Sequence, residues 1–327
     1  MKAILCHHYG RPDDLVLEEV PDPVAGPGEA VVRIEAAALN FFDTLIIAGK
    51  YQHQPAFPFS PAAEFAGVVE ALGPGVEGLR AGDRVFGQMG AGAARERVAV
   101  KAEQLIGMPE GLDFDRAAGL TVIYGTTLHA LRDRAQLGSG ETLVVLGAAG
   151  GTGLAAIELG RLMGARVIAG ASSADKLAFA RQHGAHCAIN YAAEDLTQAL
   201  ERETGPNGAD VIYDPLGGPY ASAALEAIAW QGRFLVIGFA TGEIPKLSLD
   251  LVVRKGCQVV GVFWGGFVAR NAALHRANMV DIARWCAQGA LSAHVHAVYP
   301  LAATAEAIKQ LADRKVMGKV LIKPSTR

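Results

Sequence analysis

Cysteine is scarce in this chain of 327 residues, with four at Cys6, Cys187, Cys257 and Cys286 and no paired spacing among them. That excludes a disulfide framework and a zinc knuckle, and it points to reduced thiols in a cytoplasmic protein. Neither sign of charge is in excess: the formal net charge is −3 and basic residues are scattered, so the footprint of a nucleic-acid binder is missing. Long apolar runs are missing as well. Residues 1–8 lack the apolar core of a secretory signal. The weakly polar stretch 143–160 is broken by glycines and contains Glu158, so no membrane span is expected. What is plentiful is ordinary core material, 51% hydrophobic residues, enough for two substantial domains.

The chain has two textures. From residue 2 to about 110 it shows short alternating strands, such as Val31-Val32-Arg33-Ile34-Glu35, residues 67–72 and residues 97–100. Gly73-Pro74-Gly75 and Ala81-Gly82-Asp83 mark turns between them, which reads as a compact β-rich domain. From about Asp113 buried strands alternate with helices. Strands are predicted at 142–146, 166–169, 187–190, 210–213, 233–237 and 258–263, with helices at 175–183, 196–204 and 220–230. Such alternation implies an α/β fold with a parallel, doubly wound sheet. The tail carries a helix after Ala269, a strand near 295–299, a helix over 304–314 and a strand over 319–323. It is expected to fold back onto the first domain, giving boundaries of 1–119, 120–264 and 265–327.

The most informative stretch is Thr142-Leu-Val-Val-Leu-Gly147-Ala-Ala-Gly-Gly-Thr-Gly153, an apolar strand running into a glycine-dense turn and then a helix. A dinucleotide pyrophosphate requires that order, because glycines admit the phosphates close to the backbone and free N–H groups at a helix start face the negative charge. The six-residue fingerprint falls on Ala148, Gly150 and Gly153, with alanine in the first place. Ala149, Gly150, Gly151, Thr152 and Gly153 are the candidate contacts. About 20 residues further on, an NAD-binding chain carries Asp or Glu for the ribose 2′-hydroxyl. Here the second strand runs into Ala171-Ser172-Ser173-Ala174-Asp175-Lys176. Two hydroxyls and a lysine suit a 2′-phosphate, which favours NADPH over NADH. Ser172 also reads as the N-cap of the next helix, a role compatible with anion binding.

The residues resemble those of a known family, the zinc-independent quinone oxidoreductase (zeta-crystallin-like) group of medium-chain dehydrogenases/reductases. The carriers are Ala38-Leu39-Asn40-Phe41-Phe42-Asp43, Pro61-Ala62-Ala63-Glu64-Phe65-Ala66-Gly67-Val68-Val69, Ala81-Gly82-Asp83-Arg84-Val85 and Gly119-Leu120-Thr121-Val122-Ile123-Tyr124. Gly147 to Gly153, Gly184 to Tyr191 and Gly318-Lys319-Val320-Leu321-Ile322 complete the set. The resemblance implies a GroES-like barrel domain beside a Rossmann-type sheet. It also implies Asn40 and Thr121 near the nicotinamide or its ribose, and Lys176 and Tyr191 near the 2′-phosphate. The Gly238-Phe239-Ala240 loop and Val262-Phe263-Trp264 would lie along the nicotinamide, with Lys319 as a further cofactor contact. Tyr51 becomes the candidate polar group toward substrate, since a phenol can donate to a carbonyl oxygen. Leu45 stands where relatives often carry a second tyrosine. Asp43 would orient its neighbours.

Zinc members of the superfamily hold their catalytic ion with Cys, His and Cys. The first of these positions falls near Asn40, the histidine is replaced within Ala62-Ala63-Glu64, and the region 121–124 has no cysteine. The four-cysteine lobe is missing between Arg84 and Val98. His294 with His296 and His183 with His186 are pairs without a third ligand, so no metal is expected. The expected activity is NADPH-dependent reduction of a small electrophile, a quinone in the first instance, by direct hydride transfer. The alternatives are reduction of an α,β-unsaturated aldehyde, ketone or acyl-CoA thioester, and a non-catalytic NADPH-binding role. Residues 258–263 would form a sheet edge, and the resemblance implies a homodimer paired there.

Overall fold

The computed structural model describes residues 1–324 and divides into two compact units. The first holds residues 1–122, 279–289 and the chain from 293 onward, and the second holds residues 123–278 and 290–292. The strands in chain order are β1 (Lys2–Leu5), β2 (Val16–Glu19), β3 (Glu29–Leu39), β4 (Glu64–Leu72), β5 (Arg84–Gln88), β6 (Arg97–Lys101) and β7 (Leu105–Gly107). They continue with β8 (Thr142–Val145), β9 (Arg166–Ala171), β10 (Cys187–Asn190), β11 (Ala209–Asp214), β12 (Ile228–Val236), β13 (Gln258–Gly261), β14 (Val295–Pro300) and β15 (Lys319–Lys323).

In the first unit β3 is the organising strand. It pairs with β4 along most of its length, with β6 near its start and with β15 at its end, in a sheet ordered β14-β15-β3-β4-β5-β7. Two register shifts against β4, at Val31/Val32 and Ile34/Ala36, let one strand serve both partners, since bulges bend and twist a strand. At the bend the chains come so close that a Cβ on Gly67 would sit 2.0 Å from the Arg33 carbonyl oxygen, so only glycine fits. Val32, Ile34, Leu39, Phe65, Val85 and Ile322 are buried together as the core. Each such side chain contributes about 1.5–3 kcal/mol relative to exposure. The pairing Ala38↔Glu64 and Leu39↔Val320 brings the end of β3, the start of β4 and the start of β15 to one place. Asn40, Glu64 and Lys319 meet there.

The second unit is a six-stranded parallel sheet ordered β10-β9-β8-β11-β12-β13. In the unit's own count that is 3-2-1-4-5-6, the doubly wound order, with the topological switch between β8 and β11. Leu143, Val144 and Val145 of β8 are wholly buried, because helices cover both faces and the strand has no solvent side. Expected helix 196–204 is the observed Leu196–Thr204, and 175–183 is Ala174–Gln182. The helix expected over 220–230 is instead Pro219–Glu226, and Ile228 already belongs to β12. The apolar run Ile228-Ala229-Trp230 suits either element. Parallel pairing of Ile228 with Ala209 decides it, with Gln231 at φ +59° absorbing the irregularity.

The second unit also runs past the expected boundary at 264 to Asn278. The reasons are contacts that are distant in sequence. Phe267 stacks on His129 with ring centroids 3.9 Å apart, and the Asn278 amide donates to Asp133 at 3.2 Å. Trp264 packs edge-on against His275, 5.5 Å between ring centroids. Burial depresses the His275 imidazole from its ordinary value to about 4. The neutral ring is therefore the one the fold accommodates. Its contribution is present above the unfolded value near 6.5 and is lost as pH falls toward the folded one. The thermal midpoint is expected to drop between pH 7 and pH 5, and His275→Leu is expected to flatten that drop in calorimetry across the same range.

Candidate functional site

In the second unit the site begins where β8 ends. Gly147 takes φ +61°, and the Ala148 amide donates to the Gly170 carbonyl at 3.0 Å, which ties the turn to the neighbouring strand. Gly150 caps the twelve-residue helix Gly151–Leu162. Its first intrahelical bond is Leu154 N–H to the Gly150 carbonyl, 2.8 Å. The amides of Gly151, Thr152 and Gly153 therefore precede the helical ladder and sit at the positive end of the macrodipole. A Cβ on Gly153 would lie 2.3 Å from the Gly147 carbonyl oxygen and 2.8 Å from the Ala148 Cα, both backbone atoms. Ala149 is buried at 2% exposure, so its methyl group packs inward.

At the end of β9 no carboxylate is present. Ser172 is exposed, and the cap of helix Ala174–Gln182 is Ser173, whose hydroxyl accepts from the Lys176 amide at 3.4 Å. That corrects the assignment of the cap to Ser172 and leaves the Ser172 hydroxyl 3.5 Å from Lys176 Nζ. Asp175 lies in the first turn, exposed. Tyr191 is half-buried, with its ring 4.6 Å from that of Tyr220.

A cavity of about 480 Å³ opens beyond the ends of β12 and β13. Phe239 and Phe263 line it, with His129, Arg134, Phe267 and Arg270. The loop carrying Phe239 is fixed by Ala240 N–H to the Pro215 carbonyl, 3.0 Å, and by the Thr241 hydroxyl to the Leu216 carbonyl, 2.9 Å. Trp264 is not among the lining residues. Its ring packs instead against His275, 5.5 Å between ring centroids.

The first unit holds a separate buried polar cluster. Lys319 Nζ donates to Glu64 Oε1 at 2.6 Å, to Asn40 Oδ1 at 2.7 Å and to the Leu39 carbonyl at 2.9 Å. Lys319 is 3% exposed and Glu64 fully buried. All three ammonium protons are used within the protein, which makes Lys319 an internal tie. Asn40 Nδ2 donates to the same Glu64 oxygen at 2.9 Å, while Glu64 Oε2 accepts from the Val122 amide at 2.8 Å. One carboxylate thus anchors both Asn40 and the start of helix Thr121–Leu128. Losing either member of such a buried pair would cost about 3–5 kcal/mol. Asp43 accepts from the amides of Asn40 (2.7 Å) and Ala62 (2.9 Å), orienting that turn. Burial pushes its carboxyl up to about 7, against the pull of those amides and of Lys319. The Thr121 hydroxyl is buried and has no hydrogen-bond partner among the described residues. Tyr51 stacks on Phe42, centroids 5.4 Å apart, and burial raises its phenol.

Metal donors do not assemble. Among the described residues no three His, Cys, Asp or Glu side chains are grouped to hold an ion. His183 is bonded to Glu158 at 3.0 Å and His186 accepts from the Val167 amide at 3.0 Å, both structural roles. Asn40, Ala63 and Thr121 offer no thiolate or imidazole where a zinc site would need them, so the donor set does not fit zinc.

Comparison with known proteins agrees with this architecture. Residues 26–110 match the alcohol dehydrogenase GroES-like domain, and residues 151–279 match the zinc-binding dehydrogenase family. A barrel-type unit of the first kind with a doubly wound unit of the second is the make-up of the medium-chain dehydrogenases/reductases. The chain is 35% identical over 322 residues to quinone oxidoreductase-like protein 2 of Rattus norvegicus, covering 98% of this chain and 91% of that protein. It is 32% identical over 324 residues to the quinone oxidoreductase of Pseudomonas aeruginosa, covering 99% of each. The solved structure of Escherichia coli quinone oxidoreductase complexed with NADPH superposes with a TM-score of 0.91 at 27% identity, covering 99% of this chain and all of that one. This chain belongs to the quinone oxidoreductase family of medium-chain dehydrogenases/reductases, and it is an oxidoreductase.

Sequence reading had no role for Glu64, His129, Arg134 or Arg270. Glu64 stood in view inside a motif, but its partner is 255 positions away and nothing in the local spacing links them. His129, Arg134 and Arg270 likewise acquire a site only when two strand ends and a helix meet.

Proposed function

We propose that this protein reduces quinones with NADPH by direct hydride transfer. The observation that carries the reading is the second unit's nucleotide cradle: free amides at Gly151, Thr152 and Gly153, followed at the end of β9 by Ser172, Ser173 and Lys176 in place of a carboxylate. The E. coli relative's complex with NADPH supports the same choice of coenzyme. Bound there, NADPH supplies the hydride, and with one proton from solvent the quinone leaves as hydroquinone and the coenzyme as NADP⁺.

The chain's own residues bind and orient. The amides of the turn hold the pyrophosphate, and Ser172 and Lys176 hold the 2′-phosphate, with Tyr191 beside it. Phe239 and Phe263 offer apolar walls. Asn40, Thr121 and Tyr51 are assigned as polar contacts, donating to the acceptor oxygen as negative charge develops on it. The side chains at Asn40, Ala63 and Thr121 offer no thiolate or imidazole to zinc, so no step is assigned to zinc.

Steady-state oxidation of NADPH with 1,4-benzoquinone tests the reading. Turnover confined to enals or enoyl thioesters would replace the quinone assignment, and no NADPH oxidation with any of them would remove the enzymatic one. Tyr51→Phe keeps the ring stacked on Phe42 and removes only the hydroxyl, so kcat/KM for the quinone is expected to fall about tenfold with little change in stability.

We further propose a homodimer and a cytoplasmic setting. β13 is the last strand of its sheet, and Val259 on it is 43% exposed, an open edge of the kind a second copy covers. Light scattering is expected to give a mass twice 34.2 kDa. A monomer refutes the pairing. Among the described residues no disulfide joins the four cysteines, in keeping with a reducing compartment.

A further inference from the structure

The cluster around Lys319 uses an internal cation on one particular carboxamide. Lys319 Nζ lies 2.7 Å from Asn40 Oδ1, and Asn40 Nδ2 lies 2.9 Å from Glu64 Oε1. This arrangement fixes which end of the amide is which: turned over, it would set an NH₂ against an ammonium and an oxygen against a carboxylate. It also polarises the group. A cation on the carbonyl oxygen draws electron density from the nitrogen, and charged partners strengthen the hydrogen bonds of a connected chain. Glu64 takes one of the two Nδ2 protons. The other has no protein acceptor among the described residues, although Asn40 is only 6% exposed. The Thr121 hydroxyl, one residue before the Val122 amide that Glu64 holds, is buried and equally without a partner among the described residues. A protein seldom leaves two buried polar groups unmet unless something else meets them.

We propose that Lys319, held by Glu64, is a positioning residue that locks and polarises the Asn40 carboxamide, so that its second N–H donates to the acceptor oxygen as charge builds there during reduction. The inference rests on the quinone reductase reading and adds to it a pair of residues that never touch substrate. Lys319 acts through Asn40 and through nothing else in the reaction. Its removal weakens a donor whose loss elsewhere costs 10²–10³ in kcat, so a loss of about 30-fold is expected.

The test is a double-mutant cycle on the full chain, with 1,4-benzoquinone and NADPH. Lys319→Met is expected to lower kcat about 30-fold with KM for NADPH within about threefold, and Lys319→Arg to restore most of it. Asn40→Ala alone should cost at least as much. The double variant should be no worse than Asn40→Ala, because the cation has lost the group it works through. A second readout needs no coenzyme: the Asn40 side-chain NH₂ signal, identified in ¹⁵N spectra by its loss in Asn40→Ala, should move upfield in Lys319→Met. Wild-type kcat in a folded Lys319→Met, multiplicative losses in the double variant, or an unmoved amide signal each overturn the inference while leaving the quinone assignment standing. If Lys319→Met does not fold, Glu64→Gln takes its place in the same cycle and is judged by the same coupling. A wild-type protein that turns over no quinone overturns the function and this inference together.

Discussion

Gly153→Val is expected to raise the Kd for NADPH about 100-fold, roughly 2.7 kcal/mol, in a fluorescence titration. The added Cβ alone would fall 2.3 Å from the Gly147 carbonyl oxygen and 2.8 Å from the Ala148 Cα. Neither can step aside as a flexible side chain would, because both belong to the turn that ends β8. The turn must open, and the amides of Gly151 and Thr152 move with it. Overpacking of this kind costs about 1–3 kcal/mol in stability. The effect on binding should exceed the effect on folding, because the ligand needs the amides converged on one point whereas the helix needs them only helical. Gly150→Ala provides the contrast. A Cβ there meets only the Gly147 oxygen, at 3.4 Å, so the turn itself should survive. An unchanged Kd in a folded Gly153→Val would mean that the nucleotide is not held by this turn.

Lys176→Glu is expected to reverse the coenzyme preference. With Ser172 Oγ 3.5 Å from Lys176 Nζ, the exposed end of β9 presents a hydroxyl and a cation together. Replacing the cation by a carboxylate removes a charge-assisted contact to the 2′-phosphate and adds repulsion to it. It also supplies an acceptor for a 2′-hydroxyl. Loss of NADPH affinity of about 100-fold with NADH affinity unchanged or improved is the expected result, read as the ratio of kcat/KM for the two coenzymes. Because the site is open to solvent, the NADPH term should weaken with salt. Equal losses for both coenzymes would place Lys176 away from the 2′ position.

The doubly wound unit was largely legible from the chain. Strand–helix alternation is a local signal, and each buried strand, such as Leu143-Val144-Val145, announces itself by composition. The glycine turn and the absent carboxylate after β9 are also local, and so both features could be read directly. Where local signals conflicted, reading failed: Ile228-Ala229-Trp230 suits a helix or a strand, and only pairing with Ala209 settles it. The adjacent serines Ser172 and Ser173 are equally good caps by composition, and backbone geometry selects the second.

Features carried by residues near one another in sequence were therefore legible in the sequence alone: the glycine turn after β8, the serines and lysine in place of a carboxylate after β9, and the lack of cysteine and histidine at the zinc-ligand positions. What the tertiary structure decided was the fate of charges. Lys319, in its Gly-Lys-Val-Leu strand, reads from sequence as a candidate cofactor contact, and Glu64 as a motif residue with no assigned role. The register of β3 with β4 and β15 brings them to 2.6 Å and buries both. A buried charge is tolerable only with partners, and the partners of a lysine near the end of the chain are chosen by sheet pairing, which no local pattern encodes.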